Sequence, residues 1–120
     1  MQHDFEITEE MKLPKEFKTD WVNALMSGDY KQGTGALHVG GFYCCLGVAC
    51  KMQGYTDEDM HNAGTITKGF DESHLNRDFR KIPKAIKGRG GFNKVVGHLT
   101  ISNDEGSNFE EIATWIEDNL

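Results

Sequence analysis

The run YCCLGVAC, residues 43–50, is the most apolar stretch of a polar chain and contains all three cysteines. Two short β-prone runs, 36–39 and 42–44, lead into it and flank Gly40 and Gly41. A type I′ turn needs a positive φ at both central residues, so this Gly-Gly pair predicts a short antiparallel hairpin. From Cys45 to Met52 the apolar spacing becomes helical, which predicts a central helix directly after the hairpin.

Two glycines mark this central helix. Gly54 is its predicted end. Gly47 costs about 1 kcal/mol of helix propensity, but its missing side chain would let the helix pack closely against a neighbour. Free cysteine behaves as a small hydrophobic residue, so the thiols are expected to fill the interior. The residues assigned to the interior are Trp21, Leu25, Tyr43, Cys44, Cys45, Leu46, Cys50, Phe109, Ile112, Trp115 and Ile116.

Two further helices are predicted near the ends of the chain. The first follows Pro14 and ends at Gly28-Asp29. Its apolar stripe recurs every four residues, with Val22 and Met26 beside it. The second helix begins at Ser107 or Asn108, because each is followed three residues later by a glutamate that can complete a capping box. The two buried stripes are Leu13, Phe17, Trp21 and Leu25, and Phe109, Ile112, Trp115 and Ile116.

The remaining segments carry weaker signals. Thr56 with Asp59 indicates a helix start, and Ile82-Pro83 indicates another short helix. Residues 94–102 are ambiguous between helix and strand, and residues 103–106 are a turn by composition. Residues 1–12 are expected to fray or to form a short edge strand. Residues 62–78 and 87–93 are expected to be mobile loops.

These elements predict an α+β fold in which both terminal helices pack with a central helix and a short antiparallel hairpin. The 120 residues favour one domain over residues 1–120, burying roughly two-thirds of the unfolded surface. An odd number of cysteines, two of them adjacent, favours a reduced, cytoplasmic protein over a disulfide scaffold. No apolar run approaches the length of a membrane span, and residues 1–11 lack the apolar region of a signal peptide.

Positive charge is concentrated in one segment of an acidic chain. The net charge is −6, yet residues 77–94 hold seven basic residues against Asp78. A helix would align most of these, and the glycines around Arg89 would let backbone N–H groups approach a phosphate. The segment therefore predicts either a solvated face or a site for a phosphorylated small molecule or nucleic acid. Its candidate binding residues are Arg77, Arg80, Lys81, Lys84, Lys87, Arg89 and Lys94.

The cysteines also allow a catalytic hypothesis. Cys44 or Cys45 could lie at a helix N-terminus, where the dipole favours the thiolate, and His98 could reach it from a strand. This order is similar in outline to papain-like cysteine hydrolases. A glycine-bracketed cysteine and a convincing third group are both missing. The Cys-Cys-x4-Cys spacing does not form the two ligand pairs of a zinc site, so no metal and no cofactor are expected.

Three stretches of the sequence combine into a longer motif: W-V-x-A-L-x-S-G-x-Y-x-Q over residues 21–32, Y-C-C-L-G-V-x-C over 43–50, and L-x-x-x-N-D-x-G-x-x-F-x-x-I-A-x-x-I over 99–116. The combination resembles a family of small, uncharacterised proteins encoded by bacteriophages and bacteria. The likeness covers both ends of the chain well and the centre poorly, where Ile82-Pro83 is kept and residues 88–91 depart from the pattern. It implies a phage-related setting and no mechanism.

Three functions follow as hypotheses. The first is a non-enzymatic phage accessory protein that binds and modulates a host protein, in the host cytoplasm. The second is a binder of a phosphorylated small molecule or nucleic acid through residues 77–94. The third is a cysteine hydrolase built on Cys44, Cys45 and His98. The sequence leans away from an enzyme and gives no reason to expect a membrane partner.

Overall fold

A computed structural model describes residues 1–61, 82–87 and 93–120, although the side chains of Lys84 and Lys87 lie outside that description. The predicted α+β class is confirmed, with helices near both ends and a short three-stranded sheet. The helices are α1 (Lys15–Met26), α2 (Cys45–Met52), α3 (Asp57–Met60), α4 (Lys84–Lys87), α5 (Lys94–Asp104) and α6 (Phe109–Asn119). The strands are β1 (Lys31–Gln32), β2 (His38–Val39) and β3 (Phe42–Tyr43).

The Gly-Gly hairpin is confirmed, and it belongs to a slightly larger sheet. Gly40 and Gly41 have φ values of 58° and 87°, as the tight turn between β2 and β3 requires. The strand β1 pairs in parallel with β3, so the strand order is β1-β3-β2. This additional strand was not predicted, because two residues among glycines show no hydrophobic period.

The central helix α2 has the predicted bounds and lies in the interior. Six of its residues, from Cys45 to Cys50, are buried. It approaches the chain just before the hairpin so closely that a Cβ at Gly47 would overlap the carbonyl oxygen of Leu37. The indole N–H of Trp21 on α1 donates to the backbone oxygen of Cys45 over 3.0 Å. The expected close packing at Gly47 is therefore present.

The terminal helices α1 and α6 pack against each other and bury the two predicted stripes. Asn108 is the N-cap of α6, and Glu111 completes its capping box. Met26, expected beside the stripe of α1, is instead 53% exposed. None of the helices in residues 1–61, 82–87 and 93–120 is long and apolar enough to cross a lipid bilayer.

Two expectations for residues 94–106 need correction. The ambiguous stretch is a helix, so His98 is on α5 and not on a strand. Asn103 and Asp104 belong to the same helix, and the chain turns only after them, at Glu105 and at Gly106 with its φ of 111°. The asparagine and aspartate imitate a turn by composition, but their side chains bond to distant backbone.

Asn103 joins three parts of the fold. Its side chain is buried, and its Oδ1 accepts hydrogen bonds from the backbone N–H of Cys45 at 3.2 Å and from Gln32 Nε2 at 3.0 Å. Its Nδ2 donates to the backbone oxygen of Gly33 over 2.8 Å. One amide therefore ties α5 to the start of α2 and to the end of β1.

Of the segments expected to be irregular, the structure describes the N-terminal one and only the ends of the predicted loop 87–93. Residues 1–8 are neither helix nor strand, and every second one of residues 1–7 is half-buried; Glu9–Met11 form a short 3-10 turn. The predicted loop 62–78 lies outside the described residues. Of the predicted loop 87–93, Lys87 ends α4 and Asn93 caps α5, and residues 88–92 lie outside the description.

Candidate functional site

The cysteines at the start of α2 do not have the environment of a nucleophile. Cys44 is the N-cap, and its Sγ accepts from the backbone N–H of Gly47 at 3.4 Å. The Sγ of Cys45 donates to the backbone oxygen of Leu99 over 3.7 Å. Burial raises the pKa of Cys44 to about 11 and raises the pKa values of Cys45 and Cys50 as well. All three thiols are therefore protonated at neutral pH.

His98, the suggested catalytic partner, belongs to a different cluster. Its ring packs on Trp115 with a centroid distance of 4.6 Å, and on His3 and Phe5 at 5.8 Å each. Burial and the neighbouring His3 lower the pKa of His98. Across residues 1–61 and 93–120, no hydrogen bond connects this imidazole to a thiol. The geometry gives the hydrolase hypothesis no support.

Thiol labelling provides a direct check of this environment. We expect iodoacetamide at pH 7.5 to leave Cys44, Cys45 and Cys50 unmodified in the folded protein and to modify all three after denaturation, because alkylation needs an exposed thiolate. A Phe42→Cys variant, with its new thiol on the exposed hairpin, is the positive control and should react in the folded state. Mass spectrometry of the intact protein counts the modifications. Labelling of a native cysteine as rapid as that of the introduced thiol would contradict the burial described above.

The basic segment lies largely beyond the described residues. Arg77, Arg80, Lys81 and Arg89 lie outside them. Lys84 and Lys87 are the first and last residues of α4, and Lys94 is exposed at the start of α5. The structure therefore does not bring these seven residues together as a site, and binding of a phosphorylated ligand through them stays a prediction. This prediction requires the affinity for the phosphorylated ligand to fall with added salt. It also requires binding to be lost on charge reversal at Arg80, Lys84 and Arg89.

The outer face of the small sheet carries a row of exposed side chains, one from each strand. Phe42 is paired with Val39 on β2 and with Lys31 on β1, so the three side chains project on one face. Phe42 is 45% exposed and Val39 is 37% exposed. A Cβ at Gly33 would lie 2.6 Å from the Cβ of Phe42, so this glycine leaves room for the ring. We call Lys31, Val39 and Phe42 the outer row.

The opposite face of the same strands is anchored by polar contacts. Gln32, Tyr43 and His38 form this inner row. The hydroxyl of Tyr43 donates to Asp57 Oδ1 over 2.6 Å, and Lys51 Nζ lies 2.8 Å from the same oxygen. These two bonds lower the pKa of Asp57, and burial together with Asp57 raises the pKa of Tyr43 to about 12.

The turn of the hairpin is fixed as well. His38 Nε2 accepts from the backbone N–H of Gly41 at 3.2 Å and lies 3.8 Å from Asp57 Oδ2. Tyr30 packs edge-on against Tyr43 with a centroid distance of 5.4 Å. The hairpin is thus bonded to α3 through Asp57, which in turn is bonded to Lys51 on α2. Its outer row is presented on a rigid support, an arrangement suited to contact with a macromolecule.

The outer row has a signal in the sequence that the predictions above missed. A two-residue turn at Gly40-Gly41 makes Val39 the partner of Phe42 and His38 the partner of Tyr43. Tyr43 leads into the buried run, so its side chain faces the interior. Side chains alternate along a strand, so Val39 and Phe42 must face the opposite side of the sheet.

Within the described parts of the chain, no group of three His, Cys, Asp or Glu side chains is arranged to hold a metal ion.

Comparison with known proteins gives a family and no mechanism. No curated protein and no solved structure matches the chain. One family model matches residues 11–120, which include every helix and strand named above. The chain therefore belongs to the family described as Domain of unknown function (DUF8296).

Proposed function

We propose that this chain is a non-enzymatic, phage-encoded accessory protein that binds and modulates a host protein through the outer row. The observation that supports the proposal is the exposed pair Val39 and Phe42 on an anchored hairpin. A phenylalanine at a rigid turn loses little conformational entropy on binding, so it is an effective anchor for a partner. The phage setting comes from the motif resemblance.

The chemistry of the outer row indicates the kind of partner surface. The outer row combines two apolar side chains with the cationic side chain of Lys31, so a complementary surface has an apolar pocket with an acidic edge. The buried thiols, with their raised pKa values, support binding over catalysis. Burying the Phe42 ring in such a pocket would contribute about 1.5–3 kcal/mol.

Capture from bacterial lysate tests this proposal. We expect the wild-type chain to retain one stoichiometric partner, and the double variant Val39→Ser/Phe42→Ser to lose it. With the purified partner, Phe42→Ser alone should weaken binding by about ten- to a hundredfold.

Met26→Ser is the matched control, since Met26 is also exposed but lies on α1, away from the sheet. It should bind as the wild type does. The thermal midpoint of every variant should stay close to that of the wild type, because the substituted side chains are exposed. Equal capture by the wild type and the double variant would rule out the outer row, and absence of any stoichiometric partner would rule out the function.

A further inference from the structure

Among the described residues, the N-terminal segment contacts the body of the protein through its side chains and not through backbone hydrogen bonds. In residues 1–7 the odd-numbered residues are half-buried and the even-numbered ones are exposed, so alternate side chains lie on the protein. Within the described part of the chain, these residues make one hydrogen bond to the body, in which Trp115 Nε1–H donates to His3 Nδ1 over 3.1 Å. The family match begins only at residue 11. We call residues 1–7 the strap.

The rings beneath the strap form a continuous cluster on α5 and α6. His3 lies edge-on to Trp115 with a centroid distance of 5.3 Å, and Phe5 packs 5.1 Å from His3. His98 completes the cluster, and its buried Nε2 has no hydrogen-bond partner among the described residues. A segment with no backbone hydrogen bond to the described residues of the body belongs to the less stable part of a protein.

The bond between Trp115 and His3 requires a neutral imidazole. An indole N–H can only donate, so His3 Nδ1 must accept and cannot carry a proton. An imidazolium has N–H groups at both nitrogens, so protonation of His3 would turn this acceptor into a second donor facing the indole. Imidazole side chains ordinarily gain a proton around pH 6.5.

Charged groups of both signs surround the cluster, so the proposal rests on the Trp115–His3 hydrogen bond and not on the surrounding charge. The amino group of Met1 and the ammonium group of Lys94 are cations on this side of the protein, and the carboxylate of Asp4 opposes them. Glu110, Glu111 and Asp118 on α6 line the neighbouring groove beside Met1 and Trp115. Burial, His3 and the Met1 amino group lower the pKa of His98, and Asp4 acts in the opposite direction.

We propose that the strap is a pH-sensitive device: protonation of His3 releases residues 1–7 and uncovers the ring surface of His98 and Trp115. The released state binds more protons than the docked state, so docking weakens as pH falls. For one proton taken up, the docking equilibrium falls by up to about tenfold per pH unit.

Indole N–H resonances of the ¹⁵N-labelled full chain test this directly. Between pH 7.5 and 5.5, we expect the Trp115 signal to move toward the position of a water-exposed indole and to exchange rapidly with solvent. The Trp21 indole, which donates to the backbone oxygen of Cys45, is an internal control and should not move. Trp115→Phe assigns the two signals.

The His3→Asn variant separates the trigger from general acid effects. The Oδ1 of asparagine can accept from Trp115 Nε1–H and cannot be protonated in this range, so the Trp115 signal should stay at its docked position at both pH values. An unchanged Trp115 signal in the wild type would overturn the proposal. An equal shift in His3→Asn would overturn it as well, and a shift of the Trp21 signal would instead indicate global unfolding.

Discussion

Gly47→Ala is expected to destabilise the protein by about 3 kcal/mol or more, the upper end of the cost of overpacking a core. Helix propensity alone predicts the opposite sign, since alanine is about 1 kcal/mol better than glycine inside a helix. The close approach of α2 decides the outcome. A Cβ at Gly47 would overlap the carbonyl oxygen of Leu37 and lie 2.9 Å from its carbonyl carbon, and both atoms are backbone. Because backbone cannot rotate away, α2 or the chain entering the hairpin must shift.

Urea unfolding of Gly47→Ala and the wild type measures this difference in the free energy of unfolding. Gly28→Ala is the matched control, because Gly28 has a φ of 81° and open space around its Cβ position. That substitution tests backbone conformation without a clash and should cost about 1–2 kcal/mol. A Gly47→Ala protein as stable as the wild type, or more stable, would show that α2 does not approach Leu37 in this way.

The second large effect is expected at Asn103, because its amide serves three parts of the fold. Asn103→Ala leaves the N–H of Cys45 and the carbonyl of Gly33 without their partners, and we expect a loss of about 2–5 kcal/mol in the free energy of unfolding. Asn103→Leu should lose a similar amount, since it fills the space but restores neither hydrogen bond. Denaturant unfolding followed by far-UV circular dichroism provides both values.

The neighbouring Asp104 gives the control for Asn103. Its Oδ1 accepts from the backbone N–H of Gly35 over 3.1 Å, but the residue is exposed, so water can replace the lost bond in Asp104→Ala. That variant should lose no more than about 1 kcal/mol. If the two alanine variants were equally stable, the role of Asn103 as the connection between α5, α2 and β1 would be wrong.

The sequence was most informative where the signal was local. Between two β-prone runs the pair Gly40-Gly41 predicts a tight turn, and the two possible capping boxes, at Ser107 and Asn108, predict the start of α6 to within one residue. The helical period of the N-terminal stripe likewise required no knowledge of its partner. Gly47 likewise predicted close packing of α2, because a glycine inside an apolar helix indicates a close contact even when the contacted atom is unknown.

Features that depend on long-range contacts were not predicted. Asn103 forms hydrogen bonds with residues 58 to 71 positions earlier, and its side chain in isolation indicates only a turn. Strand β1 consists of two polar residues whose pairing exists because β3 lies beside it. The ring cluster of His3, His98 and Trp115 joins residues from both ends of the chain, so no local pattern could reveal it.

Photo-crosslinking from position 42 tests most directly whether the outer row is the binding surface. With a photoreactive phenylalanine derivative at position 42, we expect one host protein to be crosslinked in bacterial lysate, and excess unmodified wild-type chain to suppress the product. The same derivative at position 26, which is also exposed but lies on α1, should give no such product. Crosslinking of the same protein from position 26 and not from position 42 would contradict binding through the sheet.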